Sequence, residues 1–352
     1  MRLAYLLEDT ALFGGVKIAL QQAHLMAQRG HQVVVVSKGP RPRWFPLSLE
    51  FRQVPSFAPV FLPKADVTVA TFWTTLLALR EIPWGEKVHY CQGLEFTYTH
   101  NQEEHPAIER AYQDPFPAMV LAPHLGQVVQ ERFARPTRLV PPPLAPVFRP
   151  PWGKRRPHKR ARILVVHPFE NDWKGVVTAL EAIKILRRAG VTCELVRLSQ
   201  WPLSEVEQAV LPPDRYYCGL TEPQVARLLR RCDLLLAPSW EQEGFGLPVL
   251  EAMGSGVPVV ASDISAFRFV TAGSALLVPP RQPEAFAEAA ATLLADARRW
   301  RELAQAGVQR AQAFSPPCIA AAAEQALSWV ATGAWRTEPR ADFSWPPGER
   351  VQ

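Results

Sequence analysis

The sequence lacks the features of a secreted or membrane-spanning protein. No uncharged apolar run approaches the roughly 18 residues that a membrane-spanning helix needs. Two acidic residues, Glu8 and Asp9, follow the first methionine too closely for a signal peptide. The 5 cysteines are far apart and form no C-x-x-C pair, which argues against a disulfide framework or a zinc site and indicates a reducing compartment. We therefore expect a cytoplasmic protein, or one that contacts the inner face of a membrane peripherally.

The sequence also lacks the signatures of disordered, collagen-like and nucleic-acid-binding chains. Hydrophobic residues make up 48% of the chain, and the 19 glycines and 35 prolines show no period. Basic residues exceed acidic ones by 6, which favours anionic partners such as phosphates or an anionic membrane surface. No basic run is interleaved with aromatic residues, so we expect no nucleic-acid partner. The length suggests about two domains of roughly 150 residues each.

Apolar segments and glycine turns alternate in the same order in both halves of the chain. In the first half, a strand over 3–7, a helix over 16–29 and an apolar strand over 33–36 form a βαβ unit. In the second half, strands at 163–166, 193–198, 233–237 and 257–261 alternate with helices, one of them over about 247–253 and another started by a capping box at Thr221 and Gln224. The pattern predicts an α/β protein of two doubly wound parallel-sheet domains that face an interdomain cleft.

A segment rich in proline and arginine, residues 141–162, marks the break between the two domains. We assign residues 1–145 to an amino-terminal domain, 146–160 to a linker and 161–315 to a carboxyl-terminal domain. The basic cluster from Lys154 to Arg162 is interpreted as part of that linker. The segment from about 316 to 352 is expected to pack back on the amino-terminal domain.

One stretch in the second half has the features of an anion site. A buried strand is followed by a loop that contains Glu243, and a helix begins near Leu247. Gly244 and Gly246 leave their backbone N–H groups accessible, and these groups together with the helix dipole suit a diphosphate. The alternative is an ordinary turn whose acidic residues merely complement the helix dipole.

Two carboxylates flank this stretch. Glu243 and Glu251 are separated by at most about 12 Å if the segment between them is wholly helical, so they can touch different parts of one ligand. A carboxylate beside a diphosphate is expected to accept hydrogen bonds from sugar or ribose hydroxyls. No Asp-x-Asp pair stands in a site loop, so we expect neither a metal nor a cofactor.

The stretch Pro-Ser-x-x-x-Glu-Gly-Phe-Gly-Leu-Pro-x-x-Glu-Ala-Met resembles the E-x7-E signature of retaining glycosyltransferases with the GT-B fold, family 4 (group 1). The likeness is close over residues 160–315 and loose over 1–140. It implies a GT-B fold of two Rossmann-like domains and the transfer of a sugar from a nucleoside diphosphate sugar. The donor would be bound mainly by the carboxyl-terminal domain and a hydroxyl acceptor mainly by the amino-terminal domain.

The resemblance also implies roles for individual residues. Glu243 would contact the donor sugar, Glu251 the ribose, and Lys174, which precedes Gly175, the diphosphate. The other residues implied on the donor side are Gly14, Gly15, Gly219, Leu220, Gly244, Phe245, Gly246 and Leu247. Gln92 stands where the family carries a histidine near the transferred sugar, on the acceptor side. A solvated lysine without a ligand is the alternative for Lys174.

The sequence departs from the family pattern at several positions. Phe169 occupies the place of an arginine that holds the diphosphate, and Val16 follows the glycine pair where a glutamate is usual. The identity of the donor is therefore open. The acceptor is a glycan, a glycolipid or another hydroxyl compound, and the basic charge suggests a lipid-linked acceptor and a weak membrane contact. A catalytically inactive GT-B subunit and a GT-B sugar-nucleotide epimerase are the alternative functions.

Overall fold

The computed structural model describes residues 1–151, 157–338 and 343–346, and it divides the chain into two compact units. The first unit comprises Met1–Pro143 together with the described residues from Phe314 onward, and the second comprises the described residues of Leu144–Ala313. Residues 152–156 of the predicted linker lie outside the described residues, and 154–156 among them belong to the basic cluster. Residues 339–342 and 347–352 of the carboxyl-terminal segment also lie outside the described residues.

The first unit is built on a parallel sheet. Its strands are β1 (Arg2–Leu7), β2 (Gln32–Ser37), β3 (Glu50–Gln53), β4 (Val67–Ala70), β5 (Glu86–Cys91), β6 (Ala118–Val120) and β7 (Thr137–Leu139). Its first helices are α1 (Gly14–Gln28), α2 (Trp73–Ala78), α3 (His105–Tyr112) and α4 (Pro123–Phe133). Among the described residues, the sheet has seven strands in the order β3-β2-β1-β4-β5-β6-β7.

The second unit repeats this architecture. Its strands are β8 (Ala161–Val166), β9 (Cys193–Ser199), β10 (Arg215–Cys218), β11 (Leu234–Ala237), β12 (Val259–Ser262) and β13 (Leu276–Val278). Its helices are α5 (Val176–Arg188), α6 (Glu205–Val210), α7 (Glu222–Leu229), α8 (Leu247–Gly254), α9 (Ser265–Thr271), α10 (Pro283–Ala295) and α11 (Ala297–Ala311). In the described part of this unit, six parallel strands follow the order β10-β9-β8-β11-β12-β13.

The predicted elements exist, with small differences at their ends. Helix α1 begins at Gly14, and Gly30 follows its end with φ +87°, the left-handed conformation that glycine adopts readily after a helix. The backbone N–H of Thr221 donates to the Gln224 side chain at 2.8 Å, as expected of the predicted capping box. Strand β12 begins at Val259 rather than at residue 257, because Pro258 has no N–H for the ladder.

Part of the segment that was predicted to mark the break between the domains, residues 141–162, packs on the second unit. Leu144 and Phe148 are buried there, and a Cβ on Gly254 would lie 2.5 Å from Leu144 Cδ2. His158 Nδ1 contacts Asp233 Oδ1 at 2.8 Å. Arg162, the last residue of the predicted basic cluster, lies within β8. Buried leucine and phenylalanine side chains and the contact with Asp233 attach this segment to the second unit.

A final helix, α12 (Pro316–Ala331), completes the first unit. It packs on α1, and its buried face includes Ile319, Ala323 and Leu327. Glu324 on this helix accepts hydrogen bonds from Arg29 and His31, the two residues on either side of the glycine that ends α1. No helix in the described ranges is long and apolar enough to cross a membrane.

Both sheets have a switch point, where strand addition reverses direction. In the first unit the chain adds β2 and β3 on one side of β1 and then returns to add β4 on its other side. In the second unit it adds β9 and β10 to β8 and then returns to add β11. Ligands of doubly wound sheets bind beyond the carboxyl ends of the strands at such points. The loops after β1, β4, β8 and β11 are therefore where each unit is expected to bind a ligand.

Candidate functional site

A buried ion pair lies at the switch point of the second unit. Lys174 belongs to the segment after β8, and Glu243 to the loop after the neighbouring strand β11. The Lys174 Nζ atom donates to Glu243 Oε2 at 2.8 Å, and the two side chains are only 11% and 8% exposed. Two residues that are far apart in the sequence, and that the family resemblance places on the donor, are thus in direct contact.

The charges of this pair stabilise each other. Burial alone would raise the pKa of Glu243, but the charge of Lys174 and hydrogen bonds from Lys174 and Ser239 outweigh it and lower the pKa below its usual range. The Lys174 ammonium also lies 4.0 Å from the centroid of the Trp173 ring, a cation–π contact. At neutral pH the pair is ionised and carries no net charge. An arriving diphosphate would therefore compete with Glu243 for Lys174.

Two glycines allow the loops around the pair to approach closely. Gly175 has φ +67°, and a Cβ on it would lie 2.1 Å from the Pro238 carbonyl oxygen. Gly246 has φ +97°, and a Cβ there would lie 2.5 Å from Phe267 Cε1. A side chain at either position would meet both backbone strain and a steric clash. Since α8 begins immediately after Gly246, the start of that helix is held beside the ion pair.

The structure adds His167, which sequence analysis did not select. This residue directly follows β8 and has φ +92°, a strained conformation for any residue but glycine. It lines a small cavity together with Ser239, Gly246 and Phe267. Burial, reinforced by the charge of Lys174, lowers the pKa of His167 to about 3, so its imidazole is neutral at physiological pH. Strain of this kind persists where the surrounding structure enforces it, often at functional sites.

Arg197 is the second residue that the sequence analysis missed. It lies on β9, is fully buried, and donates to the His167 carbonyl at 2.8 Å and to the Val165 carbonyl at 2.6 Å. It also pairs with Glu207 at 2.5 Å. The only sequence signal was an arginine between Val196 and Leu198 in a buried strand. Because all these contacts are already made, Arg197 positions the segment after β8 rather than offering a free cation to a ligand.

The remaining predicted donor-side residues of this unit fall into two groups. Gly244, Phe245, Leu247 and Glu251 belong to the loop and helix next to the ion pair, and Glu251 is buried on α8. Gly219 and Leu220 instead follow β10, an edge strand separated from β8 by β9. A ligand that reached both groups would have to extend across the carboxyl ends of these strands.

In the first unit, the structure brings Gly15 and Gln92 together. Gly14 and Gly15 begin α1 after β1, and Gln92 follows β5. A Cβ on Gly15 would lie 3.2 Å from Gln92 Oε1, so the amide packs directly on the glycine. That oxygen is buried and has no hydrogen-bond partner within the described residues. A buried unpaired acceptor is costly, so the position is suited to a ligand that donates a hydrogen bond.

A metal would need a cluster of suitable side chains. Among residues 1–151, 157–338 and 343–346, no group of three or more His, Cys, Asp or Glu side chains could hold a metal ion. The switch point of the second unit carries the Lys174–Glu243 ion pair described above.

Comparison with known proteins identifies the second unit. Residues 160–296 match the family model for glycosyl transferases group 1, and this range contains the strands, the loops and both glutamates described above. The matched residues make up most of the second unit. The resemblance seen in the sequence is therefore confirmed for the domain that carries the Lys174–Glu243 pair.

Curated relatives match about half of the chain. A glycogen synthase from Mycobacterium tuberculosis is 29% identical over 200 residues, which cover 54% of this chain and 48% of the relative. A phosphatidyl-myo-inositol mannosyltransferase from Mycobacterium leprae is 34% identical over 176 residues, covering 48% of this chain and 47% of the relative. The chain thus spans about half the length of the curated relatives it matches.

Solved structures match nearly the whole chain. Anabaena HepE in complex with UDP-glucose superposes with a TM-score of 0.76 at 13% identity, covering 93% of this chain and 99% of that chain. A sucrose-phosphate synthase from Thermosynechococcus elongatus gives a TM-score of 0.74 at 18% identity, covering 94% and 99%. These similarities confirm the predicted GT-B fold of two parallel-sheet α/β domains.

Proposed function

We propose that this chain is a retaining glycosyltransferase, which moves a sugar from a nucleoside diphosphate sugar to a hydroxyl acceptor. The observation that carries the proposal is the buried Lys174–Glu243 pair at the switch point of a group 1 domain, beside the start of α8. The structure of HepE with UDP-glucose supports a nucleotide sugar as the donor. We propose that the protein acts in the cytoplasm, without a metal or another cofactor.

In this proposal the diphosphate occupies the space beside Lys174 and the first turn of α8. Binding of the anion draws the Lys174 ammonium away from Glu243, and the freed carboxylate accepts hydrogen bonds from the hydroxyls of the donor sugar. Glu251 accepts hydrogen bonds from the ribose, and the base lies toward Gly219 and Leu220. The lysine and the helix dipole then stabilise the negative charge that develops on the leaving diphosphate.

The transfer itself is a front-side displacement. The bond between the anomeric carbon and the diphosphate oxygen breaks, and a bond from the acceptor oxygen forms on the same face of the sugar. The proton of the acceptor hydroxyl passes to the departing diphosphate, so no side-chain base is consumed. The task of the protein is to hold the two substrates in position and to stabilise the leaving group.

The first unit is proposed to bind the transferred sugar and the acceptor. The buried Gln92 Oε1 atom beside Gly15 lacks a hydrogen-bond partner among the described residues, and a sugar hydroxyl would supply one. The net charge of +6 supports a lipid-linked acceptor and a weak contact with an anionic membrane. Co-sedimentation with anionic vesicles at low salt tests that contact, and failure to co-sediment would remove it.

One observation favours a second function, that of a subunit that binds nucleotide without turnover. Phe169, which stands where the family has a diphosphate-binding arginine, packs against the apolar core of the second unit. Its side chain offers no charge to a phosphate. The pair of Lys174 and Glu243, without net charge, would then be the principal charged contact of the diphosphate in the loops after β8 and β11.

A two-stage experiment distinguishes these functions. Thermal unfolding is first measured with UDP-, GDP- and ADP-sugars, since a ligand at 100 times its Kd adds roughly 2.7 kcal/mol of stability. The stabilising donor is then incubated with candidate acceptors, and the anomeric configuration of any product is read by NMR. Retained configuration supports the proposal, and binding without any product supports the non-enzymatic subunit. Loss of stabilisation in Lys174→Met, but not in Lys184→Met, would place the nucleotide at the ion pair.

A further inference from the structure

A buried polar cluster lies under the loop that carries Gln92. The Tyr112 hydroxyl on α3 is 2.9 Å from the Gly93 carbonyl oxygen and also hydrogen-bonds the Glu95 carboxyl. Cys91 Sγ, at the end of β5, donates to the same Gly93 carbonyl at 3.2 Å. Glu95 and Tyr112 are both buried. The cluster therefore connects helix α3 to the backbone immediately after Gln92.

The hydrogen bonds of this cluster can all be made only when Glu95 is protonated. Tyr112 has one hydroxyl proton, yet two acceptors, the Gly93 carbonyl and the Glu95 carboxyl, lie within reach of it. If Glu95 is protonated, its own O–H donates to Tyr112, and the tyrosine proton is free to hold Gly93. If Glu95 is ionised, it accepts the tyrosine proton, and Gly93 loses its hydroxyl donor.

The backbone at this point is closely packed. A Cβ on Gly93 would lie 2.0 Å from the Tyr98 hydroxyl oxygen, so the turn has no room to shift toward Tyr98. Gln92 in turn packs on Gly15 at the start of α1. A change in the Gly93 hydrogen bond is therefore passed directly to Gln92.

The groups around the cluster determine its charge. Titratable and charged side chains from several elements face the cluster. They are His89 and Cys91 from β5, Tyr112 from α3, Asp114 after α3, Arg132 from the last turn of α4 and Arg135 after α4. Arg135 is buried, and its Nε donates to the Phe116 carbonyl at 2.7 Å. Burial, followed by the charge of Arg135, lowers the pKa of His89 well below its usual range. Within this cluster, Glu95 is the carboxyl that forms a hydrogen bond, and Arg135 is the buried positive charge that acts on it.

We propose that Glu95 is a positioning residue whose protonation state decides whether the Tyr112 hydroxyl holds the Gly93 carbonyl, and with it the orientation of Gln92. The part that concerns Gln92 and a bound sugar rests on the proposed function. The hydrogen-bond exchange itself does not, because it involves only groups of the first unit.

The direction of the pH dependence follows from the environment of Glu95. Burial raises the pKa of this carboxyl to about 7, although the Tyr112 hydrogen bond and the charge of Arg135 oppose the shift. The protonated form, in which Tyr112 holds Gly93, therefore predominates below pH 7 and is lost above it. Between pH 6 and pH 8 the protonated fraction falls about tenfold.

Two measurements on the full-length chain test this inference without any substrate. In protein labelled with ¹³C at the glutamate carboxyls, the resonance absent from Glu95→Gln identifies Glu95, and its titration is followed by NMR. Amide hydrogen exchange of the peptide 92–98 is measured by mass spectrometry at each pH. Exchange rates are taken relative to Glu95→Gln, whose neutral amide keeps a donor for Tyr112 at every pH. Glu103→Gln, at an exposed glutamate nearby, is the matched control.

We expect Glu95 to titrate with a midpoint near 7. We also expect the wild-type peptide to exchange like Glu95→Gln at pH 6 and about fivefold faster at pH 8, the effect of one lost hydrogen bond. In Tyr112→Phe, the amides of peptide 92–98 should exchange fast at both pH values. In Glu103→Gln, their exchange rates should equal those of the wild type at each pH. A Glu95 midpoint near that of the other glutamates would overturn the proposal. So would a wild-type exchange ratio that does not change with pH, whether or not the chain transfers sugar.

Discussion

Removing either member of the Lys174–Glu243 pair should lower the free energy of unfolding of the second unit. We expect a larger loss than for an ion pair at the protein surface, because this pair is buried. The prediction concerns four proteins without ligand: the wild type, Lys174→Met, Glu243→Gln and the double variant. Methionine keeps the length of the lysine side chain, and glutamine keeps the shape of the glutamate. Each single substitution leaves one polar or charged group buried without its partner.

The magnitude follows from the geometry. At a separation of 2.8 Å and an effective dielectric constant near 20, two unit charges attract each other by about 6 kcal/mol, and desolvation offsets much of this. Breaking a buried pair on one side typically costs about 3–5 kcal/mol, and replacing the second partner as well adds little, because the pair is already broken. We expect each single variant to lose about 3 kcal/mol and the double variant about the same, which gives a coupling energy of about 3 kcal/mol.

The assay is urea-induced unfolding followed by tryptophan fluorescence, supported by calorimetry. For a domain of this size, 3 kcal/mol corresponds to a Tm lower by about 6–12 °C. Glu241→Gln is the matched control, because Glu241 is in the same loop and exposed, and it should lie within about 0.5 kcal/mol of the wild type. Single variants that cost less than 1 kcal/mol, or that add in the double variant, would refute the buried pair.

The same pair predicts a pH dependence. Because the pKa of Glu243 is lowered in the folded protein, its contribution to stability is present above the usual glutamate pKa. It is lost as the pH falls through the lowered value. The coupling energy of the four-protein cycle should therefore be the same at pH 6 and pH 8 and should shrink toward pH 3. A coupling energy that grew on acidification would contradict this sign.

Three further predictions concern the ligand site. With donor varied at saturating acceptor, Glu243→Gln should mainly lower kcat and Glu251→Gln mainly raise the donor KM, by roughly 10- to 150-fold; near-normal values in both would contradict the two-glutamate site. Titration calorimetry with a nucleoside diphosphate should give the same affinity in EDTA as in Mg²⁺, and a requirement for divalent metal would exclude the metal-free site. Gly246→Ala should weaken nucleotide binding and lower the Tm more than Gly273→Ala does. Both glycines have a positive φ, but a Cβ at Gly246 would clash with Phe267, whereas a Cβ at Gly273 would have no atom within 4 Å. Equal effects of the two substitutions would show that backbone strain alone matters.

The local sequence pattern was sufficient to predict the strands and helices and the loop that carries Glu243. Strand β11, the two glycines and the proline in the first turn of α8 are consecutive in the sequence, so their order already predicts strand, loop and helix. The family likeness selected Lys174 as well. Its contact with Glu243 could not be derived locally, because β8 and β11 become neighbours only after the chain has placed β9 and β10 elsewhere.

The residues that sequence reasoning missed depend on contacts between distant segments. Arg197 reaches the carbonyl of His167, a residue with a strained backbone, from the adjacent strand. The Glu95–Tyr112 bond joins a loop to a helix, and neither residue belongs to a recognisable motif. Strained backbone and shifted pKa values depend on which groups are buried and which groups lie next to each other. Both are set by the folded structure, so a single sequence does not show them.

The return of α12 to the first unit has a consequence for synthesis of the chain on the ribosome. The second unit is continuous in sequence, so it can fold as soon as residue 313 has left the exit tunnel. The first unit begins earlier but finishes later, because α1 must wait for α12 to cover its apolar surface and for Glu324 to pair with Arg29 and His31. Helix α1 thus stays incompletely covered while the more than 280 residues between it and α12 are translated.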